Sequence, residues 1–211
     1  PSLPATVPDS PPTREGALQL SDDLEAWLRR ERVVYLPQQE VLVYDRKSPD
    51  PALVGDLLLG LDRLREHEPV LAVTSLYAVR QRVMAPQTLT RALLTVETGQ
   101  RLDPDAFCGE LARRGYRPAG MVARAGDYAR RGGLLDVYAP GDLPLRIELF
   151  DDEVVSLRTF DPESQRGDRA RRLQRARVYP VSHLLRDEDA QLACLARLEQ
   201  EKEAGNLSEE E

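Results

Sequence analysis

A chain of 211 residues with 41% hydrophobic and 31% charged residues has room for one large packed domain or two small ones. No apolar run reaches the length of a membrane span, and no basic start followed by an apolar stretch marks a secretory signal, so a cytoplasmic protein with no membrane contact is expected. The formal net charge of −7 excludes a whole-molecule electrostatic hold on DNA, which needs a concentrated basic face.

Residues 1–20 are rich in Pro, Ser and Thr without apolar periodicity, which predicts an extended segment. From Ser21 the pattern turns helical, with Ser21 as N-cap and Leu24, Trp27 and Leu28 spaced along one buried face. A short strand over "RVVYLP" follows. Asp50 can cap the next helix with Pro51 at its first position, and Leu53, Leu57, Leu61 and Leu64 would line one side. The continuous apolar run "VLAVTS" reads as a strand covered on both faces, and Ser75 opens a short helix, "LYAVRQRVMAP". Strand, helix and strand in this order predict a parallel α/β unit over residues 21–88.

Over residues 89–180 the pattern changes. "LTRALLTVET" reads as a strand and "DPDAFCGELARRGY" as a helix, capped by Asp103 with Pro104 first and stopped by Gly115; Phe107 and Leu111 face the core. Three strand-like runs follow, "GLLDVYAP", "LPLRIELF" and "EVVSLRTF", separated by short turn signals, which predicts antiparallel pairing. The last stretch, 181–211, spaces Leu185, Leu192, Leu195 and Leu198 for a helix before the acidic "SEEE". The fold class is therefore α/β and α+β, a partial α/β unit followed by an α+β domain with an antiparallel sheet.

Catalytic groupings are missing from this pattern. No GxxxxGK[ST] phosphate loop occurs, and no cofactor site is suggested. His67 and His183 stand without a partner constellation, and Asp151–Asp152 fall in a tight turn, where aspartate bonds local backbone. Cys108 and Cys194 lie far apart without metal-ligand spacing. The run "RGDRARRLQRAR", with Arg166, Arg169, Arg171, Arg172, Arg175 and Arg177, is the most credible nucleic-acid feature, although no aromatic is interleaved to stack bases and charge runs are usually solvated faces.

Within "LPLRIELF", alternation sends Leu145, Ile147 and Leu149 to one side, the core, and Arg146, Glu148 and Phe150 to the other. A two-residue "DD" loop puts Val155 and Leu157 on the Arg146 side; a three-residue loop puts them with Ile147 and Leu149, giving the cleaner core and the preferred register. Arginine and large aromatics are frequent anchors of protein interfaces. The competing expectation is that Phe150 packs under the turn and the arginines pair with Glu148 or Asp152 in surface salt bridges.

The stretch "YARRGGLLDVYAPGDLPLRIELFDDEVVSLRTFDPESQR" resembles the second domain of the excision-repair protein UvrB and, more closely, its counterpart in the bacterial transcription-repair coupling factor family, Mfd. The "FDPESQR" ending is the coupling-factor variant, and upstream "VTSLYAVRQRVMAP", "GQRLDPDAF" and "LARRGYRP" fit in the same order, so the resemblance runs from about Leu36 to Pro180. It implies a degenerate UvrB-like module, with a helicase-like α/β remnant that lacks a P-loop and an inserted α+β domain that binds UvrA. It also implies a non-catalytic role, recruiting nucleotide excision repair to stalled RNA polymerase. A full-length family member would add an RNA-polymerase-binding domain and an ATP-driven DNA translocase. Carried over by position, Arg131, Arg146 and Phe150 form the UvrA-binding set, with Arg130 and Glu148 as neighbours. The alternatives are a nucleic-acid-binding module using residues 166–177, or the corresponding part of UvrB.

Overall fold

The computed structural model describes residues 13–28, 32–38, 50–66, 70–182, 195–200 and 202. Expectations for residues 1–12, for His67, His183 and Cys194, and for the first part of the C-terminal helix fall outside these; residues 195–200 are helical.

The first helix starts earlier than its apolar spacing predicts. Helix α1 spans Arg14–Trp27, capped by Thr13, whose hydroxyl accepts from the Gly16 amide. Ser21 is a buried mid-helix residue, and Trp27 is 72% exposed. The buried face consists of Ala17 and Ser21, small side chains that let the helix settle on Val33 and Val73, with the half-buried Leu24 packed beside them. Strand β1 (Val33–Leu36) pairs in parallel with β2 (Leu71–Thr74), joined through helix α2 (Pro51–Arg65), which Asp50 caps as expected. This is the anticipated parallel unit. Strand β1 buries both Val33 and Val34, whereas Leu71 and Ala72 of β2 are exposed, so "VLAVTS" is not covered on both faces. Helix α3 is only Leu76–Val79, with Ser75 as its cap.

Part of the next predicted strand is helical. Helix α4 (Pro86–Ala92) takes "LTRA", because Pro86 at its first position presets the helical φ and buries Leu89 and Ala92 on one face. Strand β3 is confined to Leu94–Glu97. Helix α5 (Pro104–Arg113) matches expectation: Asp103 accepts from the Asp105 and Ala106 amides, Phe107 and Leu111 are buried, and Gly115 ends it at φ +89°.

A six-stranded sheet then forms in the order β4 (Arg117–Pro118), β5 (Asp127–Arg131), β6 (Leu134–Val137), β7 (Leu145–Phe150), β8 (Glu153–Phe160) and β9 (Gly167–Leu173), antiparallel from β5 onward. Strand β10 (Arg175–Val178) leaves it to pair antiparallel with β3. The arginine run is thus carried by two strands, with Arg172 and Arg175 exposed to solvent. One sheet face packs Leu135, Val137, Leu145, Ile147, Val154 and Leu157 against Phe107 and Leu111 of α5 and against Val96 and Val178. Each such full burial contributes about 1.5–3 kcal/mol.

The β7–β8 hairpin resolves the two loop lengths by a third arrangement. Phe150 pairs with Glu153, so the loop is the two residues Asp151 and Asp152, with Asp151 at φ +54°, a region aspartate tolerates better than most residues. The register then shifts between Glu148 and Leu149, leaving Val155 as an extra residue. That bulge returns Leu157 to its place opposite Ile147 in the core while Val155 is exposed. The expected core position of Leu157 is met; that of Val155 is not.

Of the expected Leu53–Leu57–Leu61–Leu64 line, helix α2 fully buries only Leu57; it also buries Val54, Leu58 and Asp62, because it contacts the second part of the chain as well as β1. Two features hold it there. A Cβ on Gly55 would lie 2.3 Å from the Pro140 carbonyl carbon and 2.6 Å from the Gly141 nitrogen, and a Cβ on Gly141, at φ +75°, would lie 3.0 Å from the Gly55 carbonyl carbon. Seven residues along the same helix, the buried Asp62 carboxylate accepts from Arg65 (2.7 Å), from Arg177 (2.8 Å) and from the Tyr179 hydroxyl (2.9 Å). Glu66 pairs with Arg177, and the Tyr116 hydroxyl donates to the Tyr179 carbonyl. Burial alone would raise the Asp62 pKa, but the Arg65 and Tyr179 hydrogen bonds and the Arg177 charge outweigh it and hold the pKa below the usual carboxylate value.

Replacing Gly55 by Ala should lower the free energy of unfolding by about 1–3 kcal/mol, as overpacking does, measured by chemical denaturation. Asp62→Asn should cost on the order of 1.5–3 kcal/mol at neutral pH. Because the folded-state pKa is depressed, the Asp62 contribution is present above the unfolded value of about 3.9 and is lost as pH falls through the folded value. The stability difference between the two proteins should therefore close in acid, as followed by unfolding at stepwise lower pH.

Candidate functional site

The sheet face opposite the α5 core carries Arg131, Arg146, Glu148 and Phe150 of the predicted residues. Strand register places Asp136 opposite Arg146, Arg146 opposite Arg158, and Arg158 opposite Arg172 in one row. The next row sets Arg131 opposite Leu134 and Leu134 opposite Glu148. Alternation separates these side chains from the core as the sequence predicts.

At the centre is an ion pair. Arg146 donates from Nε and Nη2 to the two Asp136 oxygens at 2.6 and 2.8 Å, and from Nη1 to the Gln165 carbonyl at 3.2 Å. Its guanidinium carbon lies 4.6 Å from the centroid of the buried Phe160 ring, a cation–π contact. The Arg146 side chain is only 13% exposed. The Asp136 hydrogen bonds push its pKa above the ordinary guanidinium value, against the opposing effect of burial, so it is permanently charged.

The "FDPESQR" turn completes this clamp. The Asp161 carboxylate accepts from the Glu163 and Ser164 amides at 3.0 and 2.6 Å, bonds that hold its pKa below the ordinary carboxylate value. Gln165, at φ +59°, donates its side-chain amide to the Val122 and Pro162 carbonyls at 2.9 and 2.7 Å, which aims its own carbonyl at Arg146.

Toward one end of the sheet the face opens, where two hairpin tips lie side by side. The β5–β6 tip is Gly132–Gly133; a Cβ on Gly133 would meet the Leu149 carbonyl oxygen at 2.5 Å. Leu149 in turn donates to the Gly133 carbonyl at 2.7 Å. The β7–β8 tip is held from behind by Arg101, 3.6 Å from Asp152, and by the Leu102 amide donating to the Asp152 carbonyl at 2.7 Å. Between them stand Phe150, 75% exposed, Leu134, partly exposed, and Arg131, whose side chain is 54% exposed and 3.7 Å from Asp136.

Phe150 therefore does not pack under the turn. Nor do the arginine pairs follow the competing expectation: Arg146 takes Asp136, Arg131 reaches the same carboxylate, Glu148 pairs with Arg158, and Asp152 with Arg101. Arg131, Arg146, Glu148 and Phe150 share one face. Arg130 does not, since it lies opposite Leu135 on the core side of the sheet and pairs with Asp105 of α5. Sequence reasoning missed Asp136 and Gln165, although an acidic residue amid the apolar "LLDVY" run was a visible signal that a buried carboxylate needed a cation.

In the arginine run, Arg175 pairs with Glu97 at 3.3 Å, and Arg177 is taken by Asp62 and Glu66; the side chains of residues 168–171 lie outside the description. Among the described residues there is no group of three or more His, Cys, Asp or Glu able to hold a metal, and no helix is long and apolar enough to cross a membrane.

Residues 94–184, which include this face, match the sequence model of the UvrB interaction domain family. The transcription-repair-coupling factor of Myxococcus xanthus is 42% identical over 139 residues, 64% of this chain and 11% of that protein. That of Escherichia coli (strain K12) is 36% identical over 156 residues, 74% of this chain and 14% of its own length. That of Bacillus subtilis (strain 168) is 30% identical over 152 residues, covering 72% of this chain and 13% of that protein. The chain thus spans only 11–14% of these relatives. Residues 94–184 thus match the UvrB interaction domain family, and over most of its length the chain is similar to part of the transcription-repair-coupling factors.

Proposed function

We propose that this chain is a non-catalytic adaptor that binds UvrA through the sheet face bearing Arg131, Arg146, Glu148 and Phe150. In the longer protein, that contact would bring nucleotide excision repair to a stalled RNA polymerase on DNA. The observation that carries the reading is Phe150, a large aromatic held in solvent at a rigid hairpin end beside an exposed arginine, inside the matched interaction domain. A hydrophobe in that position costs solubility without adding to the core, which makes sense as a contact for another protein. The parallel β1–α2–β2 unit, with no phosphate loop in the sequence, is read as the remnant of a helicase-like domain.

The roles within the face divide by exposure. Arg131 and Phe150 present their side chains to a partner, whereas Arg146 is mostly enclosed and acts from beneath. The cleanest probe is therefore Arg131→Ala with Phe150→Ala, because neither side chain supports the core. In a calorimetric titration with UvrA this double variant should lose about 2 kcal/mol or more of binding free energy while its unfolding midpoint stays near that of the parent. Unchanged affinity would sink the assignment of the face.

A further inference from the structure

Asp136 lies at the centre of the face without reaching its surface: the residue is 2% exposed, yet its carboxylate meets two guanidiniums. Arg146 takes both oxygens at hydrogen-bonding distance and is further occupied by the Gln165 carbonyl and the Phe160 ring. Arg131, from the neighbouring strand β5, stands 3.7 Å from Oδ2 of the same carboxylate. One negative charge thus faces two positive ones, and the enclosed Arg146 accounts for its neutralisation. The remaining positive charge sits on Arg131, at the open end of the face beside Leu134, its cross-strand partner.

An arginine side chain standing free in water samples many rotamers, and that freedom is lost when a partner fixes it. A fixed carboxylate beneath the guanidinium removes part of that cost in advance. We propose that Asp136 is a positioning residue for partner recognition: it holds the exposed Arg131 guanidinium in place on the face, while Arg146, the DPESQ turn and Phe160 hold Asp136. The proposal rests on the reading of this face as the UvrA contact, and it adds a residue that never meets the partner.

The sign of the effect separates positioning from simple electrostatics. Taking a negative charge out of an arginine-bearing face would strengthen attraction for an acidic partner if net charge alone mattered. Positioning requires the opposite. Asp136→Asn keeps the side-chain shape, and in titration of the whole chain with UvrA it should weaken binding by about tenfold, the middle of the range for side chains in one network. In an Arg131→Ala background the same substitution should cost only about twofold, because the group it positions is gone.

Equal or tighter binding by Asp136→Asn would overturn the proposal, as would the same fold-loss with and without Arg131, which is the pattern of general damage to the sheet. Should Asp136→Asn fail to fold, Asp136→Glu retains the charge and displaces it by one methylene; it should also weaken UvrA binding, and parent-like affinity would overturn the proposal. The underlying reading fails separately, when Arg131→Ala with Phe150→Ala leaves UvrA affinity untouched. The positioning role alone fails when that double variant loses affinity and Asp136→Asn does not.

Discussion

A carboxylate buried on a β-sheet face is tenable only if its charge is matched within hydrogen-bonding reach, and the Asp136–Arg146 pair meets that condition across β6 and β7. The rest of the polar face is arranged around it. Phe160 is buried beneath the Arg146 guanidinium, and Gln165 adopts a left-handed backbone so that its carbonyl can take the third contact. With both oxygens bound to Arg146, Asp136 fixes the relative positions of two hairpins whose tips carry Arg131 and Phe150. Surface ion pairs are worth little; this one matters because enclosure makes its loss expensive and its geometry specific.

The two parts of the chain are joined by a different pairing of the same chemistries. Gly55 allows backbone contact with Pro140–Gly141, an approach that any side chain would block. Asp62, from the same helix, gathers Arg65, Arg177 and Tyr179, so a strand at the end of the interaction domain is tied to the crossover helix of the parallel unit. Steric fit sets how near α2 comes, and the buried carboxylate sets where along its length it docks. Neither would suffice alone, since a close glycine contact has no direction and an ion pair without close packing would be screened by water.

What the sequence disclosed, and what it hid, follows from how far each signal is local. The Asp50–Pro51 and Asp103–Pro104 starts were legible because capping depends on adjacent residues alone, as was the alternation of "LPLRIELF". The start of α1 was not, because Trp27 and Leu28 extend the apolar spacing of Leu24 without being buried, while the contact beside Leu24 uses Ala17 and Ser21, residues too small to register as hydrophobic signal. The bulge at Val155 also escaped, since choosing between two loop lengths assumes an uninterrupted ladder. On the face itself, Arg131, Arg146 and Phe150 came from resemblance, and their separation into exposed and enclosed groups depends on neighbours distant in sequence, nineteen residues apart for Arg146 and Gln165.

The arginine run shows the same dependence on context. Read along the chain, "RGDRARRLQRAR" is a block of positive charge; folded, its ends are an edge strand and a strand of the small sheet. Binding to a phosphate backbone draws on cations free to displace counterions. Arg175 faces Glu97 and Arg177 faces Asp62 and Glu66, so these two cations are spent on intramolecular carboxylates. Strand β9, meanwhile, closes the six-stranded sheet with β8 as its one partner there, and the exposed Arg172 on it is a charge of the kind that hinders further strand addition by another chain. Arg177 thereby serves in anchoring α2, and the exposed arginine on the sheet face beside Phe150 is Arg131, which lies outside the run.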